Sequence, residues 1–299
     1  MKWALVLSGG GAKGFVYIGM LQAFRELHLP SPDLVVGCSI GAIAGSMIAL
    51  GKSIEEIEAF FNEDFDAEDY LGGGYVLPIK SVNRVLSVGT MFSNLIAGNS
   101  MDDGKKVYHM LKKITSGKNF SDTKIPFVCN AVDLHSGCEV TLYEGELAKA
   151  VLASASYPVA FPPVCIGNML LVDGGIGHNT PVCIARKLGF DEVFAVTLDH
   201  FRQTSFPEKY PNPIALMNRA ILTIFENRAL QQDDYPSFWL DLSNEVHSAD
   251  FSQGVQQIRF GYLETIKHKK DIQAFFADNA EGEAARKKMR AKIQQNYRL

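Results

Sequence analysis

Residues 34–50 read LVVGCSIGAIAGSMIAL, and this stretch is the most informative in the chain. Its first four residues form an apolar run of strand length. Residues 40–50 form a longer apolar run rich in small residues, which is typical of a helix packed closely on a sheet. Between the two runs, Gly37 and Gly41 flank Ser39 in the pattern G-x-S-x-G. A strand, a tight turn and a helix in this order lift a serine hydroxyl out of the sheet, so Ser39 is predicted to be a nucleophile.

A second glycine-rich segment, SGGGAKG at residues 8–14, lies between a strand-like run at 3–7 and a helix-like run at 15–27. Consecutive glycine N–H groups can point into one small volume because no Cβ stands in the way, and such a loop suits an anion. In an acyl-transfer enzyme this anion is the tetrahedral oxyanion, and losing one preorganised donor costs about 3 kcal/mol of transition-state stabilisation. The loop is therefore predicted to form an oxyanion hole.

The same loop has an alternative interpretation as a dinucleotide-binding fingerprint. Gly9, Gly11 and Gly14 satisfy G-x-G-x-x-G, and Asp33 follows nineteen residues after Gly14. A ribose-binding acid, however, belongs at the end of the second strand. Asp33 precedes that strand, and the serine turn occupies the strand's end, so the oxyanion interpretation is favoured. Binding of NAD or ATP would support the alternative.

A candidate base lies in the stretch LLVDGG at residues 170–175. The apolar run predicts a strand, which would place the Asp173 carboxylate at the carboxyl end of that strand, the edge where sites form in α/β sheets. An Asp before two glycines is by itself most often a turn residue. Asp173 becomes a candidate here because a serine nucleophile needs a base.

A Ser-Asp-His triad is the alternative arrangement. His200 follows a strand-like run at residues 193–197 and is the best placed histidine by position. Against a triad, the nucleophile turn of an α/β-hydrolase normally follows several strands, whereas Ser39 follows only two. His178 is interpreted as a surface or supporting residue. A carboxylate base is expected to keep activity through pH 6, whereas a histidine base would lose activity near its pKa of about 6.5.

Short β-branched runs alternate with longer amphipathic runs along most of the chain. This alternation predicts an α/β domain with a mostly parallel central sheet over residues 1–200. Residues 201–299 are predicted to form a mostly helical C-terminal extension packed on the same core, with one strand-like run at 238–242. Residues 63–101 interrupt the alternation and are predicted to be an insertion or flap. Within it, residues 91–96 could line an acyl-chain groove, although a core role is favoured.

Four sequence blocks occur in an order and spacing that resemble the patatin-like phospholipase family. They are the glycine loop, the serine turn, Ala155-Ser156-Tyr157-Pro158 with Phe161-Pro162-Pro163, and Asp173-Gly174-Gly175 with Asn179 and Pro181. The resemblance covers about residues 3–200 and is specific, because four separate blocks occur in the right order. Together with the alternation, it predicts a three-layer α/β/α core.

The resemblance implies that Ser39 and Asp173 act as a dyad without histidine, and that Gly9, Gly10 and Gly11 form the oxyanion hole. It also implies lipid acyl hydrolase activity, as a phospholipase, lysophospholipase or esterase, through an acyl-enzyme and without a metal or other cofactor. Two alternatives stay open: transfer of the acyl group to an acceptor alcohol, and a lipid-binding regulatory module without turnover. Six further residues support the motifs, namely Lys13, Gly14, Gly37, Gly41, Gly174 and Gly175.

The composition restricts the partners. The 299 residues carry a formal net charge of −4, whereas nucleic-acid binding normally leaves a basic footprint, so a nucleic-acid partner is excluded. The five cysteines show neither C-x-x-C pairing nor the histidine spacing of a zinc site, which favours a reducing compartment.

The same features predict where the protein works. The sequence contains no run of signal-peptide type and no apolar run of about 20 residues, so a cytoplasmic protein is expected that could contact a membrane surface. The family resemblance implies a lipid or other ester substrate as its partner. A basic stretch near the C-terminus could rest on anionic lipid, although a solvated helix end is favoured. That stretch contains Arg286, Lys287, Lys288, Arg290 and Lys292.

Overall fold

The computed structural model describes residues 1–61, 104–158, 161–198, 235–246 and 251–296, together with the single positions Leu216, Ala220 and Thr223. The segment predicted to be a flap and the candidate His200 lie outside the described residues. Within these ranges, no helix is both long and apolar enough to cross a membrane.

The strands of the described residues form one sheet. Most of them coincide with the apolar runs of the sequence, because β-branched and aromatic side chains fit a buried pleated surface. The short strand β5 was not predicted. The bounds are β1 Trp3–Leu7, β2 Leu34–Gly37, β3 Phe127–Asp133, β4 Glu139–Leu142, β5 Val164–Ile166, β6 Met169–Asp173, β7 Glu192–Thr197 and β8 Phe238–Asp241.

Helices follow most strands, as the alternation predicted. The segment Gly11–Phe15 forms a 3-10 helix that leads directly into the first α-helix. The α-helices of the described residues are α1 Val16–Glu26, α2 Ile40–Ala49, α3 Ile54–Ala59, α4 Lys105–Ile114, α5 Leu147–Ser154, α6 Gly175–His178, α7 Val182–Lys187, α8 Gly254–Lys267, α9 Lys269–Phe276 and α10 Ala280–Asn296.

The sheet is mostly parallel. Its strands lie in the order β5-β6-β3-β2-β1-β7-β8, and β4 pairs with β3 outside that path. The run from β3 to β8 is parallel, whereas β4, β5 and β6 are joined by antiparallel pairing. The register pairs Leu7 with Gly37, so the loop after β1 and the turn after β2 leave the sheet side by side.

The side chains of β1 show how the sheet is covered on both faces. Trp3, Leu5 and Leu7 belong to the larger apolar core, which includes residues of α1, α2 and α5. Ala4 and Val6 belong to a second core that includes residues of α7. Because successive side chains of a strand point to opposite faces, the two cores lie on opposite sides of the sheet. The predicted three-layer α/β/α fold is therefore confirmed.

The C-terminal helices pack against this core. β8 extends the sheet beside β7, and α8 crosses α1 at two glycines. A Cβ at Gly19 would collide with the Ile258 carbonyl, and a Cβ at Gly261 would collide with the Val16 carbonyl. The two helix backbones therefore meet without intervening side chains. The domain boundary near residue 200 stays a prediction.

Two arginines of the basic stretch in α10 are structural. Arg286 is 7% exposed, and its Nη1 donates to the carbonyls of Phe275 and Ala277 at 2.8 and 3.0 Å. Arg290 Nη2 lies 2.6 Å from Glu192 Oε1 at the start of β7. These two side chains hold α10 to α9 and the sheet. The interpretation of the stretch as a solvated helix end is therefore wrong for both of them.

We expect Gly261→Ala to lower the free energy of unfolding by about 2 kcal/mol, because the added methyl group would meet the Val16 carbonyl and separate α8 from α1. Val255→Ala, at a 73% exposed position of α8, should change the free energy of unfolding by less than about 0.5 kcal/mol. Urea denaturation measures both. Equal stability of the two variants would show that the helices do not cross this closely.

Candidate active site

Ser39 lies in a strained turn between β2 and α2. Its φ of 52° and ψ of −122° fall outside the regions that residues with a Cβ favour. The flanking glycines permit the turn, because a Cβ at Gly41 would collide with the Leu7 carbonyl and a Cβ at Gly37 with the Gly41 carbonyl. The half-buried Ser39 therefore stands at the N-terminus of α2, as the G-x-S-x-G pattern predicted.

The glycine loop lies against Ser39. A methyl group added at Gly9 would be 3.1 Å from the Ser39 Cβ. The Ser8 hydroxyl holds the loop by accepting from Leu198 N at 3.0 Å and donating to the Gly9 carbonyl at 3.0 Å. The Tyr17 hydroxyl donates to the Ser8 carbonyl at 2.6 Å. Sequence reasoning missed the roles of Ser8 and Tyr17, since neither belongs to a catalytic pattern.

The predicted oxyanion donors differ in their hydrogen bonds. The N–H of Gly9 donates to the Asn179 carbonyl at 3.1 Å. In the described part of the chain, the N–H groups of Gly10 and Gly11 make no hydrogen bond, and neither does that of Ile40, the first residue of α2. Sequence reasoning missed Ile40, although the residue after a nucleophilic serine is a common oxyanion donor.

The motif residues after the loop have packing roles. Lys13 is 8% exposed, and its N–H donates to the Gly10 carbonyl at 3.3 Å. A Cβ at Gly14 would collide with the side chain of Ile40, so Gly14 allows the 3-10 helix to rest against the start of α2. Both residues therefore fix the loop relative to the serine turn.

The Asp173 carboxylate is 2% exposed and lies beside the serine turn. Its Oδ1 accepts from Gly175 N at 2.7 Å and lies 4.0 Å from the Sγ of Cys38. Among the described residues, Oδ2 has no hydrogen-bond partner. The Ser39 hydroxyl is close enough to lower the pKa of Asp173, yet makes no hydrogen bond of ordinary geometry with it. Catalytic hydrogen bonds are often long before substrate binds.

Burial raises the pKa of Asp173 to about 6, because the charged form loses its hydration. The Gly175 N–H and the Ser39 hydroxyl lower the pKa, but by less. A general base works best when its pKa is near the working pH. A carboxyl with this pKa is half protonated near pH 6, so the loss of activity expected as Asp173 protonates should begin near that pH.

Ser154, the last residue of α5, connects the two candidate catalytic segments. Its buried hydroxyl accepts from Ser39 N at 3.1 Å, and its carbonyl accepts from Gly174 N at 3.2 Å. The Ser156 carbonyl accepts from Asp173 N at 2.9 Å. Sequence reasoning noted Ser156 within a motif and missed Ser154. The available signal was a serine at the end of a largely apolar helix.

The position of Asp173 follows from register. β6 runs antiparallel to β3 and pairs Asp173 with Ala131, whereas β3 runs parallel to β2 and pairs Cys129 with Gly37. Asp173 is therefore displaced by only two β3 residues from the level of Gly37. The sequence argument placed Asp173 at the shared carboxyl edge of parallel strands. The reason given in that argument was wrong, because β6 runs antiparallel to β3.

His178 is bound to a carboxylate of its own. Its Nδ1 lies 2.7 Å from Glu139 Oε2. The Asn130 amide donates to Glu139 Oε1 at 2.8 Å and to the Gly174 and His178 carbonyls at 3.0 and 2.9 Å. Within the described residues, none of the hydrogen bonds of Asp173 comes from a histidine. His178 thus belongs to a network that supports the loop after Asp173.

Asp33 has a structural position. Its Oδ2 accepts from Trp3 N at 2.9 Å, and its own N–H donates to the Trp3 carbonyl at 2.9 Å. These bonds join the beginnings of β1 and β2, at the end of the strands opposite to the glycine loop. A ribose-binding acid would have to lie at the loop's end. The geometry therefore disfavours the dinucleotide interpretation.

Comparison with known proteins agrees with this geometry. The family model described as Patatin-like phospholipase matches residues 5–186, more than half of the chain. The chain belongs to the patatin-like phospholipase family. The match includes the glycine loop, the serine turn and Asp173, so the resemblance inferred from the sequence is confirmed.

Other members of the patatin-like phospholipase family are much longer. Lysophospholipase NTE1 of Cryptococcus neoformans is 32% identical over 213 residues, 71% of this chain and 12% of that protein. An NTE family protein of Mycobacterium bovis is 31% identical over 205 residues, 69% of this chain and 31% of that protein. Patatin-like phospholipase domain-containing protein 6 of Mus musculus is 30% identical over 195 residues, 64% of this chain and 13% of that protein. The chain therefore spans less than a third of each of these relatives.

A solved structure shows the same fold. VipD of Legionella pneumophila aligns with a TM-score of 0.52 and 16% sequence identity, covering 98% of this chain and 74% of that one. At this identity the likeness concerns the fold alone. It extends over nearly the whole chain, so the fold of VipD has counterparts to the elements before and after residue 186.

We expect Asp173→Asn to stabilise this patatin-like protein at pH 8. The pKa of Asp173 is higher in the folded chain than its ordinary value of 3.8, so the wild type loses stability as the pH rises from about 4 to about 6. The neutral amide avoids this loss, which is about 3 kcal/mol at pH 8 and less than about 1 kcal/mol at pH 4. Urea denaturation at both pH values measures the difference.

The matched control is Asp278→Asn, which removes an exposed carboxylate and should leave stability nearly unchanged at both pH values. If Asp173→Asn were less stable than the wild type at pH 8, burial would not be what raises the pKa of this carboxyl.

Proposed function

We propose that the chain is a serine acyl hydrolase of lipid esters that uses Ser39 and Asp173 as a catalytic dyad. One observation carries the proposal: the strained Ser39 turn lies beside both a buried carboxylate and a loop in which the N–H groups of Gly10 and Gly11 have no hydrogen-bond partner among the described residues. The family match supports the same chemistry, since relatives are named phospholipase and lysophospholipase.

In the first half-reaction, the Ser39 hydroxyl attacks the ester carbonyl carbon while Asp173 takes the hydroxyl proton. The resulting tetrahedral intermediate expels the alcohol, which takes that proton from Asp173, and an acyl-Ser39 ester remains. In the second half-reaction, Asp173 takes a proton from water as the water attacks the acyl carbon. The fatty acid leaves, and the Ser39 hydroxyl regains its proton.

The negative charge of each tetrahedral intermediate needs nearby donors. We assign this role to the N–H groups of Gly10 and Gly11, together with that of Ile40, because none of them has a hydrogen-bond partner among the described residues. Gly9 was predicted as a third donor, but its N–H is bound to Asn179. Its role in the proposal is to let the loop approach Ser39.

A cavity of about 360 Å³ could hold part of a lipid ester, although neither Ser39 nor Asp173 lines it. Ser156, whose carbonyl bonds to Asp173 N, lines it. The lining combines apolar and charged side chains, as a substrate with an acyl chain and a polar group requires. These side chains include Tyr108, Glu146, Lys149, Leu152, Phe161 and Val164. Because the substrate would be a lipid, the proposal includes contact with a membrane surface. It also includes a cytoplasmic location.

Labelling by a fluorophosphonate probe tests the nucleophile and the base. The wild type should label at Ser39 and hydrolyse both a short-chain nitrophenyl ester and micellar lysophospholipid. Ser39→Ala should abolish labelling and turnover, because the attacking oxygen is lost. Asp173→Asn should reduce both by roughly 1,000-fold or more, because the amide cannot take the proton.

Two variants serve as controls for this experiment. Ser116 has nearly the same φ as Ser39, 53°, but is exposed at the end of α4, so Ser116→Ala should label and turn over like the wild type. His200→Ala should also stay active if the base is Asp173 alone. Loss of activity in His200→Ala with normal folding would replace the dyad by a triad.

The pH dependence follows from the pKa of Asp173. We expect kcat/KM for the nitrophenyl ester to have its midpoint near pH 6 and to fall about tenfold per pH unit below it, because only the carboxylate form accepts a proton. An ordinary histidine would titrate at about 6.5, so the profile is also measured in His200→Ala, where the midpoint should persist. Constant activity down to pH 4.5 would contradict a buried carboxylate base.

A further inference from the structure

Three side chains of metal-ligand type lie close together near α6, the helix that follows Asp173. Glu139 lies on β4, His178 ends α6, and Cys183 lies on α7. One potential ligand atom from each lies within 4.8 Å of the other two. No sequence pattern predicted the cluster, because its members are 39 and 5 residues apart and lie on three different elements.

The carboxylate of Glu139 is already oriented as a ligand would be. Its Oε1 accepts from Asn130 Nδ2 at 2.8 Å and from the His178 N–H at 3.0 Å. Its Oε2 lies 2.7 Å from His178 Nδ1. Metal-binding carboxylates are commonly anchored by hydrogen bonds of this kind, which fix the ligand oxygen in place.

The ligand atoms of Glu139, His178 and Cys183 would have to move only slightly to hold one Zn²⁺ ion. An oxygen and a nitrogen ligand of one tetrahedral Zn²⁺ are about 3.4 Å apart, since each lies about 2.1 Å from the ion. The Glu139 and His178 atoms, at 2.7 Å, would therefore separate by about 0.7 Å as the ion replaces their hydrogen bond. The Cys183 sulfur lies within 4.8 Å of both other ligand atoms and would approach them to about 3.6 Å, the separation set by a Zn–S bond of about 2.3 Å and a Zn–N or Zn–O bond of about 2.1 Å.

The donor set selects the metal. One thiolate, one imidazole and one carboxylate favour Zn²⁺ over Mg²⁺ or Ca²⁺, which prefer oxygen ligands. Cys183 is 4% exposed, whereas the side chains of His178 and Glu139 are 12% and 16% exposed. The cluster is therefore more accessible from the side of His178 and Glu139 than from that of Cys183, and three protein ligands leave the fourth position of an ion for water.

We propose that Glu139, His178 and Cys183 bind one Zn²⁺ ion that ties β4 to α6 and α7. The ion would fix the segment from Gly174 to His178 through the Asn130 amide, which bonds to Glu139 and to the Gly174 carbonyl. This site takes no part in the hydrolysis proposed for Ser39, so each proposal can fail alone.

Cobalt titration of the reduced, chelator-treated full chain tests the site. We expect one equivalent of Co²⁺ to bind with a sulfur-to-cobalt charge-transfer band, and one equivalent of Zn²⁺ to remove that band by displacement. Cys183→Ser should lose the band, and His178→Gln should bind Zn²⁺ at least roughly tenfold more weakly. Cys165→Ser, at an exposed cysteine, should behave like the wild type.

A second measurement covers the case in which a variant fails to fold. In the wild type, Zn²⁺ should protect Cys183 from alkylation during partial unfolding while Cys138 and Cys165 react as before, as mass spectrometry would record. Ser39→Ala, which should not hydrolyse esters, should bind Zn²⁺ like the wild type. Absence of the cobalt band, equal zinc affinity of Cys183→Ser, or no protection of Cys183 would overturn the proposal.

Discussion

The turn at Ser39 is the constraint on which the rest of the site depends. β1 and β2 are adjacent and parallel, with Leu7 beside Gly37, so the chain leaving each strand must share a narrow space. Only a glycine at position 41 lets α2 begin there, against the Leu7 carbonyl. The close approach that strains Ser39 also brings the glycine loop within contact of it. The positions of the candidate nucleophile and the candidate oxyanion donors are therefore consequences of one packing arrangement.

A second structural element, the end of α5, holds the strained turn to the candidate base. Ser154 bonds to Ser39 N through its hydroxyl and to Gly174 N through its carbonyl. A positive φ at a non-glycine residue costs about 1–3 kcal/mol, and it persists only where surrounding contacts enforce it. The buried core around α5 provides those contacts, and this is why a helix distant in sequence from both residues controls their separation.

The sequence predicted most strands, the serine turn and the glycine loop between the first strand and the first helix, because each depends on local chemistry that a short pattern records. It did not predict the antiparallel direction of β6, since strand direction depends on pairing with β3. It also missed Ser154, whose importance depends on distant partners. Arg286 looked like part of a solvated basic stretch, and only the fold brings it to the carbonyls of Phe275 and Ala277.

A carboxylate can replace histidine as a base only if its proton affinity is raised. A fully hydrated Asp has a pKa of about 3.9 and would rarely hold the proton of a serine hydroxyl, whereas histidine titrates at about 6.5. Burial brings the pKa of Asp173 to about 6, close to that of histidine. The same desolvation lowers the stability of the folded protein when Asp173 is charged. In the proposed mechanism, the burial that opposes stability gives Asp173 a suitable strength as a base, and the surrounding hydrogen bonds must retain it in that position.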